Sequence, residues 1–115
     1  MRRGDIYLVD LEPARGSEAN KTRPAVIVSN DAANRAAERT GRGVITVVPL
    51  TSNASRVRAF QVFLAADECD LAKDSKAQCE QVRAITPERV RHRVGGVPRQ
   101  RMVEVDSALR RHLAL

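Results

Sequence analysis

Histidine and cysteine, the commonest ligands and activators in metal and nucleophile catalysis, are scarce in these 115 residues. Two histidines, His92 and His112, and two cysteines, Cys69 and Cys79, stand apart with no HxH, HExxH or CxxC spacing, so neither a zinc site nor a disulfide framework is suggested. No GxSxG elbow offers a serine to either histidine, and P-loop and GxGxxG phosphate cradles are lacking. His112 falls in the last turn of the final predicted helix, where interaction with the helix C-terminus accounts for it. Aromatic residues, Tyr7, Phe60 and Phe63, make up 3% of the chain, too few for a base-stacking platform. At least two of the three are expected in the core. Apolar runs are too short to span a bilayer, and the start Met1-Arg2-Arg3-Gly4-Asp5 lacks the apolar centre of a signal peptide. The expectation is a cytoplasmic protein with no membrane attachment, metal or other cofactor.

What the chain has instead is positive charge. Lys+Arg 20 against Asp+Glu 14 leaves +6, with pI ≈ 10.3, a balance that favours an anionic partner such as nucleic acid or an acidic protein segment. The excess is uneven, since Arg83, Arg89, Arg91, Arg93, Arg99, Arg101, Arg110 and Arg111 face only Glu88, Glu104 and Asp106 in the last third. The length suits a single domain, residues 1–115, with a modest core and no need of metal or disulfide staples.

Residues 6–11 read as a first strand, ended by the Glu12-Pro13 turn signal and Gly16. A polar loop follows and delivers Arg23-Pro24 into a second strand over 24–29. Proline sets its own φ and pushes the preceding residue toward extended geometry, which fixes Arg23 at the strand entrance. Asn30-Asp31 caps a short alanine-rich helix that stops near Gly41-Arg42-Gly43, and 44–50 form a third, β-branched strand. After the polar loop 51–58 comes a strand in which Gln61 interrupts Phe60, Val62, Phe63 and Leu64. Strand pieces over 75–79 and 82–85 flank Glu80-Gln81; Thr86-Pro87-Glu88 opens a short helical turn, and Val94-Gly95-Gly96-Val97 reads as a turn or bulge. Pro98 opens the final helix, with Met102, Val105, Leu109 and Leu113 on one face and Asp106 paired with Arg110 outside. These elements describe a mainly β fold with short helices, a small, strongly bent sheet or barrel capped by a C-terminal amphipathic helix.

Polar residues gather at strand ends: Ser17 and Glu18, Arg23, Thr51, Ser52 and Asn53, Glu80 and Gln81. Such a set favours phosphate chemistry without metal. In RNA the nucleophile belongs to the substrate, because the 2′-hydroxyl attacks its own phosphate once aligned and deprotonated, and the protein supplies orientation, charge stabilisation and proton transfer. Arg23 offers a planar fork to the non-bridging oxygens, and Thr51 a hydrogen bond to phosphate or hydroxyl. Neither is an easy base at neutral pH, so Glu18 or Glu80 is the more natural acid/base group. Glu80 has a second reading as a buried carboxylate satisfied by Arg83 or by backbone.

Arg3-Gly4-Asp5-Ile6-Tyr7, Gly16-Ser17-Glu18, Arg23 to Asp31, Pro49-Leu50-Thr51-Ser52, Asp74-Ser75-Lys76, Glu80 to Ile85 and Val105 to Leu109, in that order and spacing, resemble the MazF/PemK toxins of bacterial toxin-antitoxin systems. The resemblance implies an SH3-like β-barrel, a homodimer, and sequence-specific, metal-independent cleavage of single-stranded RNA to 2′,3′-cyclic phosphate and 5′-hydroxyl ends. It implies Arg23 and Thr51 as catalytic residues, Ser17 and Glu18 as substrate residues of the first loop, and Glu80 and Gln81 as polar positions near the groove. Ser52 and Asn53, beside Thr51, join the RNA-binding set. It also implies an antitoxin whose acidic, disordered C-terminal segment folds across the groove. Two rival readings are a gyrase poison like CcdB, which relies on a tryptophan near its C-terminus that this chain lacks, and an RNA-binding barrel without catalysis.

Overall fold

A computed structural model describes all 115 residues. Its strands are β1 (Asp5–Asp10), β2 (Thr22–Ile27), β3 (Ile45–Thr51), β4 (Gln61–Leu64), β5 (Ser75–Gln78), β6 (Arg83–Ile85) and β7 (Val90–Gly96). Its helices are α1 (Asp31–Thr40), α2 (Ala66–Cys69) and α3 (Arg99–Leu113). All pairings are antiparallel, in the order β4-β5-β3-β2-β1-β7, and β6 also pairs with β3.

Strand alternation distributes the apolar side chains between two cores. Ile45, Val47, Ala25, Ile27 and Val9 face one side, where Ala37 of α1 covers them. Val48, Leu50, Val26, Ile6, Val62 and Leu64 face the other, under Val105 and Ala108 of α3. Burial on both faces explains why β2 and β3 read as nearly continuous apolar runs. The Asn30 side chain accepts from Ala33 N at 2.8 Å and caps α1, which ends on Gly41 in the left-handed region at φ 66°.

β3 serves two neighbours along one edge. Its first half pairs with β6, Ile45 opposite Ile85, and its end pairs with β5, Thr51 opposite Lys76. Between β5 and β6 the chain makes the 3-10 turn Cys79–Gln81, so Glu80 and Gln81 occupy the corner where the sheet bends. Pro49, which has no N–H to donate, is the last β3 residue paired with β2.

Several expectations need correction. The Val94–Val97 stretch is mostly strand: β7 pairs with β1 through Ile6 opposite Gly95 and Tyr7 opposite Arg93, and Val94 is the extra residue of a bulge. α2 was not foreseen, because four residues carry no helical period. Leu113 is 49% exposed, and Ala108 takes its expected place under α3. Asp106 pairs with Arg3 at 2.6 Å rather than with Arg110, since Arg3 is anchored through Nε on Val28 O and presents its fork to α3. None of the aromatics is fully buried: Phe63 is 44% exposed, and Tyr7 and Phe60 are half-buried, Phe60 with its ring centroid 6.4 Å from that of His112. The fully buried interior is built mainly of valine, isoleucine and leucine, with Tyr7 packed against the edge of one core.

Both cysteines are buried and free. Burial, and then the neighbouring Glu80 charge, pushes the Cys79 thiol up to about 12, and burial raises Cys69 as well. A raised pKa leaves little thiolate, the reactive form. The folded protein is therefore expected to resist iodoacetamide at about pH 8, with both thiols alkylated only after denaturation. Rapid labelling of the native protein, read by intact mass, would contradict this.

Candidate active site

Arg23 and Thr51 come from the two central strands. The β2–β3 register pairs Ala25 with Pro49, and continuing it two residues brings Arg23 opposite Thr51. Both side chains, with Ser52, line one cleft of about 480 Å³. Nothing acidic lines it, while Lys21 and Lys73 do. Arg23 is held by its own loop, donating Nε to Asn20 O at 2.8 Å and Nη2 to Asn20 Oδ1 at 3.2 Å. Of its five N–H groups three are left for a ligand. Thr51 Oγ1 accepts from Asn53 N at 3.2 Å, so its hydroxyl proton is free to be donated. Asn53 Oδ1 accepts from Ser55 Oγ at 3.1 Å, which makes Asn53 a brace of the 52–60 loop.

Glu18, Glu80 and Gln81 line a second cleft of about 500 Å³, with Arg83 beside them. Gln81 ties the first loop to the corner turn: its Nε2 donates to Ser17 O at 2.9 Å and its Oε1 accepts from Ala19 N at 3.0 Å. Ser17 thus enters through its carbonyl. Glu18 is exposed, and its Oε1 accepts from Arg15 N at 2.7 Å within the same loop. Glu80 Oε2 accepts from Gln61 Nε2 at 2.7 Å, whereas Oε1 is buried without a partner. Neither Arg83 nor backbone satisfies Glu80, as one reading had it; Arg83 donates to Leu11 O at 3.3 Å. Of the eight sequence-derived residues, Arg23, Thr51 and Ser52 line the first cleft and Glu18, Glu80 and Gln81 the second, whereas Ser17 and Asn53 line neither; no carboxylate of the set reaches the Arg23 cleft.

In the sequence Gln61 reads only as an interruption of β4. It is 8% exposed, and its Oε1 accepts from Arg58 N at 3.1 Å while Nε2 serves Glu80, so it couples the 52–60 loop to the second cleft. The available signal was a polar residue inside an apolar strand, which needs a buried partner.

Sheet, corner and clefts place the molecule among small, mainly β proteins with a cationic cleft where an antiparallel sheet bends. Residues 2–113 match the family described as PemK-like, MazF-like toxin of type II toxin-antitoxin system, and the chain belongs to that family. It is 56% identical over 115 residues to Endoribonuclease MazF9 of Mycobacterium tuberculosis, across 100% of this chain and 98% of that protein. Endoribonuclease MazF of Staphylococcus epidermidis is 33% identical over 110 residues, 95% of this chain and 88% of its own length. Among solved structures, MazF from Deinococcus radiodurans gives a TM-score of 0.82 at 22% identity, covering 100% of this chain and 97% of that one. An endoribonuclease in complex with its cognate antitoxin, from a mycobacterial species, gives 0.78 at 22% identity over 100% and 96% of the two chains. At these identities the solved structures speak for the fold, which is the MazF fold the sequence led one to expect.

Proposed function

We propose that this MazF-family endoribonuclease, acting as a single domain over 1–115, cuts single-stranded RNA by metal-independent transesterification. The 2′-hydroxyl attacks the adjacent phosphorus, the bond to the 5′-oxygen breaks, and 2′,3′-cyclic phosphate and 5′-hydroxyl ends result. Arg23 holds the non-bridging oxygens with its three free N–H groups, and its charge gains most as negative charge builds in the transition state. Thr51 donates its hydroxyl to the same phosphate or its leaving oxygen. The second cleft, lined by Glu18, Glu80 and Gln81, offers polar edges to an unstacked base. Ser17, Glu18, Ser52, Asn53 and Gln81 complete the RNA surface. The single observation that carries this reading is the placement of Arg23 and Thr51 in one carboxylate-free cleft of a chain with net charge +6.

The same reading makes the molecule a cytoplasmic homodimer held in check by a MazE-like antitoxin with an acidic, disordered C-terminal segment. The antitoxin-bound mycobacterial relative and MazE-MazF from Deinococcus radiodurans support such a partner. Family membership favours RNA cleavage over the poisoning of gyrase.

The test is incubation of the purified protein with a long unstructured RNA in EDTA, with new ends mapped by primer extension. Discrete 5′-hydroxyl ends are expected. Binding with no new ends would leave only an RNA-binding barrel, and intact, unbound RNA would reject the reading altogether. Thr51→Val is expected to lower kcat by about 10- to 150-fold, the value of one hydrogen bond to a charged group. Thr51→Ser should restore most of the rate; equal rates in all three proteins would remove Thr51 from the chemistry.

A further inference from the structure

Of 20 basic residues only three are lysines, Lys21, Lys73 and Lys76. Lys76 is structural, donating Nζ to Arg56 O at 2.6 Å. The other two line the Arg23 cleft, having reached it from separate loops. Neither ammonium pairs with a carboxylate.

The backbone of Lys21 makes its presence more telling. It lies in the left-handed region at φ 65°, where glycine is the default residue. Two hydrogen bonds to the end of β1 hold it there: Leu11 N donates to Lys21 O at 2.9 Å, and Lys21 N donates to Glu12 Oε1 at 3.2 Å. A long cation thus occupies a position that the backbone would fill more easily with glycine, two residues before Arg23. Buried Ser75 donates Oγ to Lys73 O at 3.1 Å and fixes the backbone from which the second lysine projects.

We propose that Lys21 and Lys73 form a two-sided clamp for a second phosphodiester of the RNA strand, adjacent to the one that Arg23 holds. The inference rests on the nuclease reading of this cleft and adds its second anchor point. Three cations around one carboxylate-free cleft repel one another until anions enter, and the three free N–H groups of Arg23 suffice for a single phosphate. Ammonium groups suit this task because they act as mobile point charges that follow a flexible strand. No aromatic side chain lines the cleft, so stacking on a base is not what these lysines assist.

The measurement is the salt dependence of affinity for a mixed-sequence single-stranded DNA, which lacks the 2′-hydroxyl and is not cut. Lys21→Gly, which keeps the backbone conformation, and Lys73→Met should each flatten the slope of log K against log salt by about 0.7, and the double variant by about 1.4. Lys21→Arg should retain the wild-type slope, and thermal midpoints report that each variant is folded. Unchanged slopes in both single variants, with a flatter slope in Arg23→Ala, would overturn the clamp and leave the nuclease reading standing. Absence of nucleic-acid binding and of RNA cleavage in the wild type would overturn both.

Discussion

Replacing Arg23 by alanine is expected to lower kcat/KM for RNA cleavage by about 10²- to 10³-fold, the loss that follows removal of one preorganised donor from a developing oxyanion. Preorganisation is what the structure supplies: Pro24 fixes the chain entering the sheet, and the Asn20 carbonyl and side chain hold two edges of the guanidinium. The remaining N–H groups need no reorientation when the phosphate arrives. Arg23→Lys keeps a charge but loses the planar fork, so it should recover only a small part of the rate. Asn20→Ala removes one of two tethers and should produce an intermediate loss. Arg23 is only half-buried and contributes no ion pair, so Tm should hardly move in any of the three. Wild-type rates for Arg23→Ala in an end-mapping assay would remove Arg23 from the site.

Gly95→Ala is expected to be the most damaging small substitution in the protein. A methyl group there would overlap Cys69 O and lie 3.3 Å from the Leu71 side chain, so the backbone of α2 or of β7 must move. Neither is free to do so, since Gly95 is buried and pairs with Ile6 in β1, and Cys69 belongs to the core beneath α3. Forced overpacking of this kind costs about 1–3 kcal/mol or more, which for a domain of this size lowers Tm on the order of 10 °C. Gly96→Ala is the control. Its nearest neighbour is Arg93 Nη2 at 2.8 Å, the far end of a flexible, exposed side chain that swings away at little cost. Equal melting temperatures for the two variants would disprove the close approach of β7 to α2.

The two glycines show where local sequence stops being informative. Adjacent glycines read as a turn or a bulge, and it took the pairing with β1 to decide for the bulge, where one glycine admits a neighbouring backbone and the other ends the bulged strand. The same limit applies to Asp106. A partner four residues on is visible in sequence, whereas Arg3, which in fact pairs with it, is brought near only by the packing of α3 on the sheet. Gln61 was legible as a polar residue in an apolar strand, but its partners Glu80 and Arg58 became known only with the corner between β5 and β6.

Local chemistry in the sequence determined the strands β1 to β6, the Asn30 and Gly41 caps, the final helix, the rigid entrance of Arg23 into the sheet and the end of β3 at Thr51. Each depends on residues a few positions apart, through proline geometry, side-chain capping or strand period. The arrangement of these pieces was decided by tertiary structure alone. Antiparallel pairing of β2 with β3 brings Arg23 and Thr51 to one cleft, and the corner turn carries Glu80 and Gln81 into a separate one. Loop closure brings Lys21 and Lys73 to the cleft that Arg23 lines. Such juxtapositions come from burying two apolar faces of one bent sheet at once, a condition that no short stretch of the chain contains.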